Sequence, residues 1–168
     1  MFLPQPLLLA VPHPLSTPGP SRNHAAASSP RLARRPNNTL LALGANNGSL
    51  TGDGTNHGEL NAIRRAVDTL AARGLSPDEV RAALQTCSLY TNGEPCPMCA
   101  SAVRWSGFRE LIYGTSIETL VEYGAGQILI SSQEVFEKSF ALGGATSLIP
   151  GILSESASRL SVCPAAEC

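Results

Sequence analysis

Histidine is scarce in this chain of 168 residues, which contains three. Two of them, His13 and His24, lie in a proline-rich leader, so neither forms a His-x-x-His pair with His57. The chain also lacks an internal repeat, a coiled-coil heptad pattern and an apolar run long enough to span a bilayer. These absences argue against repeat architectures, coiled coils and membrane-spanning helices. The length predicts one domain of about 110–130 residues with a leader and a tail.

Acidic residues are absent before Asp53, although four of the 12 basic residues lie there. The remainder carries 8 basic against 13 acidic residues and therefore a formal net charge of −5. A domain that binds folded nucleic acid is expected to present a basic face to the phosphates. The charge distribution therefore argues against a nucleic-acid partner and favours a small substrate.

Two short motifs carry the chemistry: His57-Gly58-Glu59, and Cys96-Pro97-Met98-Cys99 with a proline before it. A catalytic zinc site takes three protein ligands and keeps a fourth position for water. His57, Cys96 and Cys99 are predicted to supply these ligands, and the open position would make hydroxide available near neutral pH. Glu59 is predicted to lie beside the metal and to move protons.

Each motif alone has other interpretations. A single Cys-x-x-Cys also forms thiol redox pairs, and a His-x-Glu on a helix is usually a solvated polar stretch. The joint pattern favours the catalytic zinc site, because each motif follows a suitable local context. A redox protein that uses Cys96 and Cys99 and a non-catalytic, zinc-stabilised domain stay open as alternatives.

The surrounding sequence predicts strands that alternate with helices, and hence an α/β fold with a mainly parallel or mixed sheet. Apolar residues at steps of three and four predict a helix with His57 in its first turn that ends at Gly74. Residues 76–79 predict a second helix start with a capping box. Cys96 and Cys99 are expected where a third helix begins and its dipole favours thiolates. Strands or extended segments are predicted at 40–43, 87–91, 110–114, 127–130 and 147–153, and further helices at 117–123 and 133–140.

His-x-Glu followed by Pro-Cys-x-x-Cys is the signature of zinc deaminases that act on nucleobases. From about residue 40 to residue 153 the chain resembles the cytidine and deoxycytidylate deaminase superfamily, most nearly its guanine deaminase and tRNA adenosine deaminase branch. The segments that carry the resemblance are 44–47, 53–59, 62–64 and 89–100.

The resemblance implies a three-layer α/β/α sandwich with a mixed sheet, often a homodimer, with Zn²⁺ as the cofactor. It also implies that Glu59 delivers protons to the ring nitrogen and to the leaving amine. Asn46 falls where that branch has an asparagine that binds the substrate base. On its own, Asn46 would be interpreted as an ordinary turn residue.

The sequence departs from the family upstream of residue 40. The family begins with a helix and a central strand that have no evident counterpart here, and residues 1–38 are rich in Pro, Ser, Ala and Arg. Either residues 7–11 take the place of that strand, or the sheet lacks a central member and exposes backbone groups on two neighbours. Gly58 and Gly54 also replace the family's usual Ala and Pro, which removes no catalytic group.

We expect three segments. Residues 1–36 form a leader that is disordered or a signal or transit segment, residues 37–155 form a zinc deaminase-like domain, and residues 156–168 form a C-terminal tail. A sequon at Asn37 and a tail bounded by Cys163 and Cys168 favour secretion, as in secreted-type fungal deaminase-like proteins, with the cytoplasm as the alternative.

The sequence is therefore interpreted as a zinc-dependent hydrolytic deaminase of a free nucleobase or nucleoside. Trp105 or Phe108 could line the pocket, although core or dimer packing suits both better. Cys87 is expected to be a buried thiol, and Glu94 to contact a loop without a catalytic role. The alternatives are a catalytically degenerate zinc-binding domain and, with less support, a tRNA adenosine deaminase. The sequence does not choose among guanine, cytosine, cytidine and adenosine.

Overall fold

The computed structural model describes residues 6–9 and 40–152, and for residues 6–9 it describes the backbone. The strands are β1 (Pro6–Leu9), β2 (Ala42–Ala45), β3 (Ser88–Gly93), β4 (Glu110–Thr115) and β5 (Ser147–Ile149). The helices are α1 (Gly48–Thr51), α2 (Gly58–Ala72), α3 (Pro77–Leu84), α4 (Pro97–Ser106), α5 (Ile117–Glu122) and α6 (Ser132–Lys138), and a 3₁₀ turn at Phe140–Leu142 follows α6.

The five strands form one mixed sheet in the order β2-β1-β3-β4-β5. β1 runs antiparallel to both of its neighbours, whereas β3, β4 and β5 are parallel to one another. Parallel neighbours need a crossover connection. Helix α4 provides it between β3 and β4, and α5 and α6 lie between β4 and β5. The predicted α/β class with a mixed sheet is confirmed.

Strand β1 lies inside the sheet. It pairs with β2 from Pro6, opposite Ala45, to Leu9, opposite Ala42, and Leu9 also lies opposite Leu89 of β3. The sequence left two alternatives, and the structure agrees with the first: the N-terminal apolar run takes the place of the missing strand. The domain boundary at residue 36 stays a prediction. The predicted leader, residues 1–36, contains β1, which is a strand of the sheet.

Helix α2 packs against β2 and contributes one face to the core. Ala62, Ala66 and Leu70 repeat at steps of four along that face and are buried. Near the start of α2, a Cβ atom placed on Gly44 of β2 would come within 2.1 Å of the Gly58 carbonyl oxygen. A side chain at position 44 therefore has no room, and the glycine lets the first turn of α2 lie directly on the strand.

Helix α3 begins as the sequence predicts. The Ser76 hydroxyl accepts a hydrogen bond from the Glu79 N–H, and the Glu79 carboxylate accepts the Ser76 N–H at 2.8 Å. Val80 and Leu84 of the same helix are buried. The capping box is formed within residues 76–79, so four consecutive residues were enough to predict it, and the prediction is confirmed.

Several boundaries differ from the predictions. β2 spans Ala42–Ala45 instead of residues 40–43, since those are the residues that pair with β1. β3 continues through Asn92 and Gly93, beyond the end of the strand predicted at 87–91, because Gly93 lies opposite Thr115 of β4. Helix α1 was not predicted. His57 is the N-cap residue of α2, whereas the sequence predicted it within the first turn of that helix.

Some expectations lie outside the described residues. These are the leader apart from β1, the sequon at residues 37–39, and the tail with its two cysteines. Across residues 40–152, no helix combines the length and the apolar character needed to cross a membrane.

We expect removal of residues 1–36 to abolish most of the folded protein. The deletion would leave backbone N–H and C=O groups of β2 and β3 unpaired, at about 1–3 kcal/mol for each buried group, against a total stability of about 5–15 kcal/mol. Thermal unfolding followed by circular dichroism measures the loss. Leu8→Pro should reproduce part of it, because proline cannot donate in a central strand, whereas Leu8→Val is the control. An unchanged Tm after the deletion would show that β1 adds nothing to the sheet.

Candidate metal and active site

The candidate site lies where α2 and α4 begin. His57 is the N-cap residue of α2 and Cys96 is the N-cap residue of α4, and both have extended backbone angles. N-cap side chains commonly accept a hydrogen bond from their own helix. Within the described structure neither His57 nor Cys96 does so. Their side chains instead meet each other, with His57 Nδ1 3.5 Å from the Cys96 sulfur.

Cys99 completes the cluster from the first turn of α4. Its sulfur lies 3.6 Å from His57 Nδ1, and the donor atoms of His57, Cys96 and Cys99 all lie within 4.8 Å of one another. Cys99 is buried, whereas the other two side chains are half-buried. The structure thus brings together the three residues that the sequence singled out, and the cluster has the composition of a zinc site.

The two thiols of the cluster differ in acidity. A hydrogen bond from Cys99, together with the neighbouring imidazole of His57, lowers the pKa of Cys96 to about 4. The same hydrogen bond and burial raise the pKa of Cys99 above its ordinary value. The hydrogen bond to Cys96 also raises the pKa of His57. Negative charge is therefore favoured on Cys96, at the start of α4, where the helix dipole adds to the effect.

Glu59 lies beside the cluster without belonging to it. It is the second residue of α2, and its Oε1 accepts a hydrogen bond of 3.3 Å from the Thr91 hydroxyl. Burial raises the pKa of Glu59, with the Cys96 charge adding to the effect, while a hydrogen bond from Cys99 opposes it. The structure therefore places one carboxyl group, whose pKa is raised, next to the two cysteines of the cluster.

Asn46 lies on the exposed loop between β2 and α1. Its Oδ1 accepts the Gly48 N–H at 3.1 Å, which is the ordinary turn contact considered in the sequence analysis. The loop is tied to the segment before His57, because the Asn47 N–H donates to the Asn56 carbonyl at 2.9 Å. The loop that carries Asn46 is therefore attached to the residue before His57, and a role of Asn46 in substrate binding stays a prediction.

Two residues that support the site were not predicted from the sequence. The Asn61 amide donates to the Ala45 carbonyl at 2.8 Å and to Asn56 Oδ1 at 2.6 Å, so it joins both loops to α2. Thr91, in β3, bonds Glu59 as described above. The available signal for Asn61 was its position, since asparagine is unfavourable inside a helix unless its side chain has a specific partner. Nothing in the sequence indicated a special role for Thr91, because threonine is common in strands.

Three of the remaining candidates are buried side chains, whereas Trp105 is exposed. Phe108 is fully buried in the core, as core packing predicted, whereas 74% of Trp105 is exposed. Cys87 is buried one residue before β3, and burial raises its pKa to about 11. Glu94 is buried and accepts hydrogen bonds from the N–H groups of the first residues of α5 and α6, where the sequence predicted contact with a loop.

Comparison with known sequences identifies the family. The family model for the cytidine and deoxycytidylate deaminase zinc-binding region matches residues 32–115, half of the chain, and the chain belongs to this family. A probable cytosine deaminase of Schizosaccharomyces pombe is 36% identical over 85 residues, which is 51% of this chain and 46% of the relative. The guanine deaminase of Bacillus subtilis is 35% identical over 85 residues, which is 51% of this chain and 49% of the relative. The chain thus spans about half the length of these curated relatives.

Solved structures support the same fold. A guanine deaminase from Nitrosomonas europaea matches with a TM-score of 0.57 and 26% identity, over 74% of this chain and 64% of that chain. A tRNA:A34 deaminase, which acts at the wobble position of transfer RNA, matches with a TM-score of 0.53 and 28% identity, over 75% and 79% of the two chains. The fold is therefore cytidine deaminase-like, as the family resemblance implied.

The difference between the thiols predicts their reactivity in chelator-treated protein. Because the pKa of Cys96 is about 4, the fraction of Cys96 present as thiolate should stay nearly constant between pH 8 and pH 6. For an ordinary thiol, the thiolate fraction falls roughly a hundredfold over the same range. Iodoacetamide should modify Cys96 at both pH values and spare Cys87. Peptide mass spectrometry measures this, and added Zn²⁺ should protect Cys96. If the rate of alkylation at Cys96 falls about a hundredfold from pH 8 to pH 6, the low pKa of this thiol is wrong.

Proposed function

We propose that this protein is a zinc-dependent hydrolytic deaminase of a nucleobase or nucleoside, with His57, Cys96 and Cys99 as the metal ligands. One observation carries the proposal: the imidazole nitrogen lies 3.5 and 3.6 Å from the two sulfur atoms. Tetrahedral zinc, with bonds of about 2.0 Å to nitrogen and about 2.3 Å to sulfur, holds such atoms roughly 3.5 Å apart. The donor set therefore fits zinc in its type and its spacing.

The chemistry of the donors also suits this role. When bound, zinc acts as a Lewis acid and lowers the pKa of a coordinated water to about 7. Three protein ligands leave a coordination position for that water, as in other catalytic zinc sites. Cys96 is the N-cap residue of α4, and its sulfur lies 3.5 Å from Nδ1 of His57, the N-cap residue of α2. The helix dipoles therefore offset part of the negative charge on Cys96.

Glu59 is proposed as the residue that moves protons. It takes the two protons of the attacking water in turn. The first passes to the ring nitrogen as the oxygen bonds to the ring carbon, and the second passes to the amino group as the carbon–nitrogen bond breaks and ammonia leaves. Burial raises the pKa of Glu59, and a group whose pKa approaches the working pH both accepts and releases protons readily. Thr91 holds one oxygen of the carboxyl group at 3.3 Å, which fixes its direction.

The proposed substrate is a small base with an amino group on a ring carbon, and Asn46 would orient it. Relatives of this chain are a probable cytosine deaminase and a guanine deaminase. From Asp53 onward the chain carries 8 basic and 13 acidic residues, which disfavours the phosphates of a folded RNA. A homodimer, the assembly implied by the family resemblance, stays a prediction.

A second candidate is a zinc-binding domain that has lost activity. It is favoured by one observation, that the matched region covers 46% and 49% of two curated relatives. Segments that complete the substrate site in those proteins can therefore lie outside the match. The two candidates separate in an assay of zinc content and of ammonia release from guanine, cytosine, cytidine and adenosine. One tightly held zinc per chain would also remove the thiol redox alternative.

Alanine at any of His57, Cys96 or Cys99 should abolish stoichiometric zinc binding. Each substitution removes one of three ligands, together with the stabilisation that the metal gives the fold. Elemental analysis measures zinc per chain, and thermal unfolding reports the accompanying loss. Cys87→Ala is the matched control, because this cysteine lies outside the cluster and should leave zinc at one per chain. Full occupancy in one of the three ligand variants would refute the ligand assignment.

Glu59→Ala should keep zinc and the fold but lose roughly 10²–10⁴-fold in deamination rate, the usual contribution of a general acid–base group. The test pairs zinc content with ammonia release on whichever substrate the wild type accepts. Glu122→Ala, at the exposed end of α5, is the control for removal of a carboxylate. Unchanged turnover in zinc-replete Glu59→Ala protein would overturn the proposed proton carrier. Zinc without turnover in the wild type would favour the inactive domain.

A further inference from the structure

Glu94 is a buried carboxylate two residues before Cys96, with 4% of its surface exposed. Its Oε2 accepts the Ile117 N–H at 3.0 Å, and its Oε1 accepts the Ser132 N–H at 2.7 Å. Ile117 is the first residue of α5 and Ser132 is the first residue of α6. One carboxylate thus joins the cysteine motif to the starts of two helices, 23 and 38 residues further along the chain.

The residues between β3 and Cys96 are fixed by further bonds. The Glu94 N–H donates to the Thr115 carbonyl at 2.7 Å. The Ser132 hydroxyl donates to the Pro95 carbonyl at 3.2 Å, and both Ser132 and Pro95 are buried. The backbone that leads into Cys96 is therefore held by contacts on each of the two preceding residues.

The geometry requires a carboxylate and not merely a polar side chain. A backbone N–H can only donate, and two of them point at the two oxygens of Glu94. Glutamine has one oxygen, so its amide nitrogen would face a donor and one of the two bonds would be lost. The ion pairs among residues 40–152 involve other carboxylates. The charge of Glu94 is therefore met by N–H groups at helix starts, where it is favoured.

We propose that Glu94 is a positioning residue that holds the Cys96–Cys99 turn in the geometry that zinc requires. The inference rests on the proposed function, because it takes both cysteines as ligands. Cys96 is the N-cap of α4, so its sulfur position depends on the backbone angles at the junction that Glu94 fixes. Residues that orient metal ligands typically change metal affinity by about 10–100-fold when they are replaced.

The test measures zinc affinity by competition with a chromogenic chelator, in the full-length chain, for the wild type and Glu94→Gln. Glu79→Gln is the chemical control, because Glu79 accepts a backbone N–H in the capping box of α3. Leu84→Ala, buried on the same helix, is the stability control. We expect Glu94→Gln to lower the affinity about 10–100-fold, while the wild-type affinity persists in both controls. The visible spectrum of the Co²⁺-loaded protein should shift in Glu94→Gln alone.

The outcomes separate the two proposals. A wild type without zinc overturns the proposed function, and the role of Glu94 falls with it. If the wild type binds zinc and Glu94→Gln binds it with the same affinity, the positioning role alone is overturned. The same holds if Leu84→Ala loses as much zinc affinity as Glu94→Gln and has a similar Tm. Should Glu94→Gln fail to fold, Glu94→Asp decides, because it keeps the charge and shortens the side chain by one methylene, so that the bonds to the Ile117 and Ser132 N–H groups cannot both be kept at their present lengths. A several-fold loss of affinity there supports the role, and wild-type affinity overturns it.

Discussion

The site depends on one constraint, which is that α2 and α4 begin at the same place. Neither helix has a capping hydrogen bond from its N-cap side chain, because His57 and Cys96 occupy the two N-cap positions and contact each other instead. A good N-cap side chain contributes about 1 kcal/mol to a helix. Both helices therefore start with a local deficit at the point where their dipoles converge. Such conflicts between local preference and structure are typical of functional sites.

The rest of the fold holds these two helix starts in place. Gly44 allows α2 to lie on β2 at its first turn, because even a methyl group there would overlap the Gly58 carbonyl. β3 leads into the cysteine motif, and β1 pairs with both β2 and β3. The central antiparallel strand thus links the strand that precedes His57 to the strand that precedes Cys96.

Local features were predictable from the sequence, and long-range pairing was not. The capping box at Ser76 and the Cys-x-x-Cys at a helix start depend on four consecutive residues, and both are found as predicted. β1 was only one of two alternatives, since four residues in a proline-rich segment carry little pattern of their own. The partners of Glu94 lie 23 and 38 residues away, and no periodicity connects them to it. The three proposed ligands were found because the chemistry of zinc restricts the residue types so strongly.

Polar contacts as well as the buried side chains of Ile117 and Leu120 hold the segment after β4. The main core cluster draws its fully buried residues from β2 to β4 and the helices between them, whereas Phe136 and Leu148 pack against it only partly buried. Arg104 of α4 is buried beneath this segment, with bonds to Ser139, Gly144 and Thr146 and its guanidinium over the Phe136 ring.

Glu94 and Arg104 therefore attach α5, α6 and β5 to the core at opposite ends of α4. Polar contacts of this kind are directional, and each loses its value when one partner moves. An apolar interface could slide by a fraction of an ångström at little cost, whereas these bonds define one position. A buried carboxylate next to the cysteine motif is consistent with a site in which the placement of the sulfur atoms matters more than the stability of the surrounding segment.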